Sequence, residues 1–343
     1  MKTPRLTIAA APAADIPGLV LRPYAGEADI PHVVRIQNAE WAADGTRGHM
    51  TAEEYVAWWG HANEKFDPAR DVRLAELDGQ VVAFGQSDWV DTTDGLREYR
   101  SSGAVDPEFR RRGIGSVMLA DRMAAARSLD ATYTDVDRPR LLGMWVDQRN
   151  VGGSALAERS GYEPARWFFD MERSIAGELP EIEPLPEGLE LRPMSADQAW
   201  ELWTADHEAF RDHWGGHDDS EANFRRWRES PEFDPTMFLI AWDGDQIAGG
   251  VLNTIYPAEN EALGMRRGWL DSVFTRRAWR RRGLARNLIV RSFHLLRERG
   301  MTDAILGVDA DNPSGALGLY ESVGFAVTER STAWRRPLEE VPE

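Results

Sequence analysis

The chain has 343 residues, of which 42% are apolar and 28% charged, the balance of an ordinary globular protein, and its length suits two domains of about 150–170 residues. It contains no cysteine, which excludes disulfides, thiolate-bound metals and a cysteine nucleophile. A formal charge of −17 argues against nucleic acid or an anionic membrane as a partner and suits a cationic substrate.

Apolar periodicity and turn residues predict the elements of the first half in chain order. Residues 1–18 form an extension whose short, alanine-rich apolar stretch is broken by Pro12, so we expect a frayed terminus rather than a cleaved signal peptide. Asp78-Gly79 between two alternating apolar runs predicts a hairpin. The predicted strands lie at 19–24, 72–77, 80–89, just before 105, 140–146 and 162–172, and the predicted helices at 27–40, 51–65, 113–128 and 151–160.

The second half repeats the first. Leu189 follows Leu19 by 170 residues within matching segments, and Arg280 follows Arg110 by the same interval. Such a repeat predicts two versions of one domain. The stretch between them is rich in proline and glutamate, which is typical of a semi-extended linker. We therefore predict an N-terminal extension (1–18), a first domain (19–176), a linker (177–188), a second domain (189–338) and a tail (339–343).

One short pattern lies at the centre of each copy. A strand-like segment is followed by Arg-x-x-Gly-x-(Gly/Ala) and then by a helical apolar period, at residues 110–115 and 280–285. Glycine lets the backbone approach a ligand, and the helix presents unpaired amides and the positive end of its dipole. Because arginines here oppose that dipole unless an anion compensates, the loop predicts a phosphate-bearing ligand. The third glycine of a dinucleotide loop is absent at Met118, and no Walker sequence occurs.

This loop is followed in each half by a strand, an asparagine and a helix that ends near a Gly-(Phe/Tyr) pair. The combination resembles the GNAT superfamily of N-acetyltransferases over nearly the whole chain. The resemblance implies an α/β fold of two tandem domains, each with a mixed, splayed central sheet and helices on both faces. It also implies an acetyltransferase that uses acetyl-CoA (acetyl-coenzyme A) and a small-molecule amine acceptor, with direct attack of the amine on the acetyl group.

The resemblance also assigns cofactor contacts to the strand end, the loop and the asparagine of each copy. In the second copy these are Val273, Phe274, Thr275, Arg280, Arg281, Arg282, Gly283, Leu284, Ala285, Arg286, Asn312 and Tyr320. In the first copy they are Ala104, Val105, Asp106, Arg110, Arg111, Arg112, Gly113, Ile114, Gly115, Ser116 and Asn150.

The two copies differ at one position that matters for chemistry. The family's general acid is a tyrosine four residues before the glycine of the Gly-(Phe/Tyr) pair, and this position holds Tyr320 in the second copy and Ala157 in the first. A phenol with a pKa of about 10 is matched to the departing thiolate of coenzyme A, whereas alanine donates no proton. We therefore expect catalysis in the second domain and structural binding of cofactor in the first.

The base is predicted from chain position. Asp271 lies on the strand that leads into the second loop and is the first candidate, with an ion-paired strand-end carboxylate as the competing interpretation. Asp309 and Glu261 are weaker candidates. A carboxylate near the loop is the group that would accept the proton of the acceptor amine.

The acceptor is expected over the first two helices of the second copy, where histidines, carboxylates and aromatic residues cluster between 207 and 219. Gly215-Gly216 would break a helix that presents His213 and His217 together, so no metal site is predicted. The predicted acceptor residues are Phe210, His213 and Trp214, with Trp41 on the matching segment of the first copy.

Two other interpretations stay open. One is an acetyltransferase that acts on an amino-thiol, and the other is a sensor that binds acetyl-CoA without turnover; Ala157 supports the sensor for the first copy and Tyr320 opposes it for the second. Binding of nucleic acid through the arginine runs is disfavoured by the negative charge. We expect a cytoplasmic protein with no membrane partner, as a monomer or a homodimer.

Overall fold

The computed structural model describes residues 16–133, 137–211, 213–216, 218–312 and 315–339, which form two compact units. Unit 1 contains the chain up to Ala165, the segment Gly215–Asp218 and the chain from Thr332 onward. Unit 2 contains Arg166–Trp214 and Asp219–Ser331. Residues 1–15 of the predicted extension, His217 and residues 340–343 of the predicted tail lie outside the described ranges.

Unit 1 follows the predicted order of elements. Its second helix begins with a capping box, in which the Thr51 hydroxyl accepts from the Glu54 amide and the Glu54 carboxylate accepts from the Thr51 amide. That helix ends at Trp59 rather than at 65, where Gly60, a poor helix former, follows. The strands are β1 (Leu19–Pro23), β2 (Val72–Leu77), β3 (Gln80–Asp91), β4 (Arg97–Val105) and β5 (Arg140–Asp147), and the helices are α1 (Ile30–Asp44), α2 (Ala52–Trp59), α3 (Pro68–Asp71), α4 (Ile114–Asp130) and α5 (Val151–Arg159).

The sheet of unit 1 is mixed and covered on both faces. Its strands follow the order β1-β2-β3-β4-β5, with antiparallel pairs except for the parallel pair β4–β5. Successive residues of a strand point to opposite faces. Leu74 and Phe84 therefore pack with α1 and α2, whereas Ala75 and Ala83 pack with Ile114 and Met118 of α4. This layering is the one that the sequence predicts.

Unit 2 repeats the arrangement around its own core. Its mixed sheet follows the order β6-β11-β10-β9-β8-β7, in which only β10 and β11 are parallel among the described pairs. The strands are β6 (Glu163–Ser174), β7 (Glu190–Leu191), β8 (Phe238–Asp243), β9 (Gln246–Thr254), β10 (Arg267–Thr275), β11 (Asp303–Asp309) and β12 (Ala326–Pro337), and the helices are α6 (Ala199–Ala209), α7 (Glu221–Arg228), α8 (Pro257–Leu263), α9 (Leu284–Glu298) and α10 (Ala316–Ser322).

The compact units depart from the expected domain boundaries at two strands. From Arg166 onward β6 belongs to unit 2, because its residues Phe168–Ser174 pair antiparallel with β11. From Thr332 onward β12 belongs to unit 1, where Trp334 joins the apolar core and Arg335 pairs with Glu98. Unit 1 thus includes a strand segment that follows the predicted linker, and unit 2 includes one that precedes it. Within the described ranges no helix is both long enough and apolar enough to cross a membrane.

Candidate active site

The two arginine-glycine loops have the same backbone conformation. Arg111 and Arg281 adopt left-handed φ values of 65° and 60°, which are uncommon for a residue with a side chain, and Gly113 and Gly283 follow at 86° and 82°. Each glycine caps the helix that comes next, α4 or α9. The first amides of a helix have no acceptor within it, so both loops present donors suited to a pyrophosphate.

The first arginine of each loop is bonded within its own unit. Arg280 donates from Nε to the carbonyl of Thr275 at 3.0 Å and from Nη2 to the carbonyl of Ala209 at 2.9 Å. Arg110 instead forms a bidentate pair with Asp44, at 2.6 and 2.8 Å. The second arginines, Arg111 and Arg281, are exposed, and no hydrogen bond joins either to another residue of the described chain. Arg280 therefore fastens its loop, while the guanidinium of Arg281 points to no hydrogen-bond partner among the described residues.

The remaining loop residues surround these contacts. Arg112 donates to the carbonyl of Glu108, Arg282 to that of Glu187, and Arg286 to Ser322. The other predicted cofactor residues lie on either side of the loops. At the end of the preceding strand are Ala104, Val105 and Asp106 in unit 1 and Val273 and Phe274 in unit 2. In the first turn of the following helix are Ile114, Gly115 and Ser116 in unit 1 and Leu284 and Ala285 in unit 2. No described atom lies within 4 Å of where a Cβ would stand on Gly283, so unit 2 leaves space for a ligand at its loop.

The strand before the loop differs between the units. In unit 2, β10 pairs with β11 only over Arg267–Trp269, so the two strands part from Leu270 onward. The register of β10 against β9 also shifts between Leu270 and Ser272, a bulge that leaves Asp271 as the extra residue. In unit 1, β4 pairs with β5 as far as Ser101, and its register against β3 is regular throughout. Both sheets are splayed, but the described bulge is in unit 2.

A cavity of about 300 Å³ opens beside this bulge. Its lining comes from helices α6 and α7, strands β8, β9 and β10, and the segments that join them. Its walls combine aromatic rings, carboxylates and hydroxyl groups, at Trp203, Asp206, Trp227, Ser230, Glu232, Phe233, Phe238, Leu252, Thr254, Tyr256, Asp271 and Ser272. The cavity therefore lies over the first two helices of the second copy, the region where the acceptor is expected.

Two carboxylates of the cavity have shifted pKa values. The surrounding protein desolvates Asp271 and raises its pKa to about 6, although its side chain keeps access to solvent and accepts from Tyr256 Oη at 3.1 Å. Desolvation likewise raises the pKa of Asp206 to about 6, while the Ser272 hydroxyl donates to that carboxylate and opposes the shift. Carboxylates with pKa values near 6 are ionised at neutral pH and still accept a proton readily.

The position of the expected acid is occupied differently in each unit. Tyr320 lies on α10 at 7% exposure, and burial raises the pKa of its phenol to about 12, so the hydroxyl keeps its proton at neutral pH. Ala157 in unit 1 is fully buried and packs in the same core cluster as Tyr162. The Tyr162 hydroxyl is buried and has no hydrogen-bond partner among the described residues.

An asparagine follows strand β5 in unit 1 and strand β11 in unit 2, and each contacts a residue at or just after the first long helix of its unit, α1 or α6. In unit 2, Asn312 Nδ2 lies 3.0 Å from His213 Nε2, so two predicted site residues come together. Desolvation is the main cause that lowers the pKa of His213, which favours the neutral ring. In unit 1, Asn150 Nδ2 donates to Glu40 at 3.3 Å, and burial raises the pKa of Glu40 to about 7. A carboxylate thus stands in unit 1 where unit 2 has a neutral imidazole.

The other predicted acceptor residues do not line the described cavity. Phe210 packs against His213 with ring centres 5.0 Å apart, and Trp214 lies 6.0 Å from Phe168. Trp41 is in unit 1, where its ring lies 3.0 Å from the place a Cβ on Gly48 would take. Of these aromatic residues, Phe210 is the one that packs against the histidine, and none of the three lines the described cavity.

The weaker base candidates are placed away from such a role. Asp309 is buried and forms a bidentate pair with Arg166 at 2.8 and 2.9 Å. Glu261 is an exposed residue of α8. Asp271 is the one of the three that lines the cavity.

Comparison with known proteins places this architecture in a family. The chain belongs to the acetyltransferase (GNAT) family, whose model matches residues 32–145 and 197–325. It is accordingly an acyltransferase that uses acetyl-CoA as its acetyl donor.

Relatives match over most of their length. The chain is 30% identical over 315 residues to the mycothiol acetyltransferase of Geodermatophilus obscurus, with 90% of this chain and 94% of that protein covered. It is 31% identical over 303 residues to the mycothiol acetyltransferase of Salinispora arenicola, with 87% and 91% covered. Among solved structures, a GCN5-related N-acetyltransferase from Sphaerobacter thermophilus is 25% identical, with a TM-score of 0.69 over 95% of this chain and 97% of that one. A tandem GNAT protein from the clavulanic acid biosynthesis pathway, 16% identical, shares the fold with a TM-score of 0.65 over 94% and 100%.

Several cavity residues were not predicted from the sequence. Trp203 and Asp206 are three residues apart on α6 and so share a face, which is a signal that the sequence does contain. Trp227, Glu232 and Tyr256 come from separate segments, and no local pattern joins them.

Proposed function

We propose that unit 2 transfers the acetyl group of acetyl-CoA to a primary amine of a small, cationic acceptor bound in the cavity beside Asp271. The observation that carries this proposal is the bulge in β10, because it sets a carboxylate at the point where the two parallel strands part. Acetyl-CoA supplies the acetyl group as a thioester, and the loop from Arg281 to Leu284 with the first amides of α9 would hold its pyrophosphate.

The acceptor amine must lose a proton before its lone pair can attack. Asp271, with a pKa of about 6, accepts that proton directly or through a water, while Tyr256 orients its carboxylate. The nitrogen–carbonyl carbon bond forms, the carbon–sulfur bond breaks, and the sulfur leaves with the bonding electrons. Backbone amides of the splayed part of β10, near Val273 to Thr275, stabilise negative charge on the carbonyl oxygen.

Tyr320 donates the proton that the departing sulfur takes up. Its phenol is protonated at neutral pH because burial raises its pKa to about 12. Its position on α10, after the asparagine of β11, is the family's position for this acid. The nitrogen loses its second proton as the carbon–sulfur bond breaks, and a proton so released restores the Tyr320 phenol. The net products are an amide, free coenzyme A and one proton, the one that the ammonium group gave to Asp271.

Unit 1 serves as a structural partner that binds coenzyme A without turnover. Its loop has the same conformation as that of unit 2, which supports binding. Ala157 cannot donate a proton, and β4 has no bulge carrying a base. Asp44 and Glu40 lie beside Arg110 and add negative charge near the loop, so we expect its affinity to be the weaker of the two.

A second acceptor class follows from the relatives. The proteins from Geodermatophilus obscurus and Salinispora arenicola are named mycothiol acetyltransferases, and the match covers both of their halves. An amino-thiol acceptor is therefore the alternative for this chain. In either case the bond made is an amide to the same acetyl group.

Release of coenzyme A tests the proposal. Because the chain has no cysteine, a thiol reagent reports only the coenzyme A that is released, without background from the protein. The purified chain is incubated with acetyl-CoA and a panel of primary amines that includes an amino sugar, an aromatic amine and an amino-thiol, with mass spectrometry of the product for the amino-thiol. We expect turnover with at least one amine above the rate of thioester hydrolysis. Hydrolysis alone across the panel, together with tight binding of acetyl-CoA, would favour a sensor.

A further inference from the structure

The cavity of unit 2 has walls of two kinds, which together define an acceptor more narrowly. Its volume of about 300 Å³ is at the lower end for sites that bind small molecules, so it suits a compact acceptor. It is formed by residues of unit 2 alone, and Asp271 and Ser272 at the bulge of β10 belong to its lining. The class of molecule that fits it can therefore be read from its lining.

Part of the lining, here called the aromatic wall, consists of four packed rings. Trp227 contacts Trp203 with ring centres 5.4 Å apart and Phe233 at 4.8 Å, and it stacks on Phe238 at 6.1 Å. These rings support one another and so present a fixed apolar surface. A flat apolar group that packs against such a surface is stabilised by the apolar area it removes from water and by contact between aromatic rings.

The rest of the lining, here called the acidic wall, consists of carboxylates in matched pairs. It is interleaved with the aromatic wall, since Asp206 lies one helical turn from Trp203 on α6. Each of its three carboxylates accepts a hydrogen bond from a hydroxyl that also lines the cavity: Asp206 from Ser272, Asp271 from Tyr256, and Glu232 from Ser230 at 2.7 Å. No lysine or arginine lines the described cavity. Negative charge without a compensating cation attracts an ammonium group and repels a phosphate or carboxylate.

We propose that this cavity selects an arylalkylamine, a primary amine joined by a short alkyl chain to an aromatic ring. The ring lies against Trp203, Trp227 and Phe233, and the ammonium group meets the acidic wall with Asp271 nearest the reacting carbonyl. Glu232 holds the charge of the arriving ammonium group, and Asp271 takes its proton. The inference rests on the proposed acetyl transfer and adds the class of acceptor.

The direct test compares 2-phenylethylamine with glucosamine as acceptors of the full chain at saturating acetyl-CoA. We expect kcat/KM to be at least tenfold higher for 2-phenylethylamine. A preference for glucosamine, or for an amino-thiol such as cysteine, would overturn this inference and leave acetyl transfer standing. If no amine is acetylated, the proposed function itself fails, so the two failures are distinguishable.

Two variants connect the preference to the walls. Trp227→Leu should raise KM for 2-phenylethylamine about tenfold and leave ethanolamine, which has no ring, unchanged within twofold. Phe233→Leu is the second test of the same wall if the Trp227 variant melts early. Equal losses for both amines in both variants would contradict an aromatic subsite.

Glu232→Gln tests the acidic wall. It removes a charge and keeps the shape, so KM for both amines should rise several-fold with kcat within twofold. Asp245→Asn, at an exposed hairpin turn of the same unit, is the matched control and should change neither constant. An unchanged KM in Glu232→Gln would show that this carboxylate does not meet the ammonium group.

Discussion

Arg110 and Arg280 occupy the same place in two loops of the same conformation, yet they meet different partners. In unit 1 the guanidinium lies between the carboxylates of Asp44 and Glu40, and in unit 2 it holds the carbonyls of Thr275 and Ala209. Arg280 thus bonds neutral backbone carbonyls where Arg110 pairs with carboxylates. The two loops therefore share a backbone conformation, and the side chains around them set the charge that a bound anion would meet.

The comparison extends to the strand and the helix on either side of the loop. Unit 2 has a bulged strand with Asp271 and a buried phenol at Tyr320, and unit 1 has a regular strand and Ala157 at these two places. The proposed acetyl transfer needs both groups, whereas the proposed binding of coenzyme A needs only the loop. Four substitutions test this division, from the largest expected effect on turnover to the smallest.

Gly283→Glu should abolish turnover. The substitution puts a bulky anion where the pyrophosphate is proposed to lie, at a residue with φ of 82°. Gly300→Glu is the matched control, because Gly300 follows the other end of α9 with φ of 85° and equally open surroundings. Calorimetry with coenzyme A should show one site lost in the first variant and none in the second. Equal loss of activity in both variants would mean that backbone strain, not the ligand site, is responsible.

Tyr320→Phe should lower kcat by roughly 10²–10⁴-fold, the usual contribution of a positioned general acid, with affinity for coenzyme A unchanged. Tyr162→Phe is its control in unit 1. The Tyr162 hydroxyl is buried without a partner in the described structure, so its removal should leave turnover intact and stability equal or slightly higher. Turnover that survives Tyr320→Phe, with the chemical step shown to limit the rate, would assign the proton to another donor.

Asp271→Asn should lower kcat/KM by roughly 10²-fold at pH 7.5, since the base is lost. The base acts when deprotonated, so activity of the unaltered chain should rise with pH through about 6 and then level off. Asp206 has a similar pKa, and Asp206→Asn should keep that limb of the profile while raising KM. If the limb instead disappears in Asp206→Asn and persists in Asp271→Asn, the two carboxylates exchange roles.

Gly113→Glu should leave kcat within about threefold and reduce the coenzyme A stoichiometry from two per chain to one. Thermal stabilisation by coenzyme A should shrink, because a ligand stabilises only the state that it binds. Gly95→Glu, at another exposed glycine of unit 1 with φ of 83°, controls for strain. Collapse of turnover while the second site still binds would make unit 1 part of the catalytic machinery.

Local patterns predicted much of the fold, because local residues determine it. The hairpin at Asp78-Gly79, the helices after the two loops and the repeat itself depend on neighbours in sequence, and the structure confirms them. The same holds for the class of enzyme, which the loop and the tyrosine position indicated. The end of the second helix was predicted six residues too late, because the helix ends at Trp59, just before the poor helix former Gly60.

Long-range features could not be predicted in the same way. A bulge depends on how two strands align, so nothing near Asp271 marks it as the extra residue. The cavity unites segments that lie more than 60 residues apart, as Trp203 and Asp271 do, and only packing decides that they meet. The exchange of strand segments at Arg166 and Thr332 is of the same kind, because a repeat in sequence does not say which copy a strand will complete.

That exchange has a consequence for the order in which the chain is made. Glu98 of unit 1, at 1% exposure, is paired by Arg335, and Trp334 fills the same unit's core. Both residues are translated after the whole of unit 2. Arg100 also lies 3.6 Å from the Glu98 carboxylate, but the contributions of Trp334 and Arg335 are missing from the first half until unit 2 has been made. Unit 1 is therefore completed by residues made after those of unit 2, and a chain cut at 177–188 yields two fragments that each lack a strand segment belonging to it.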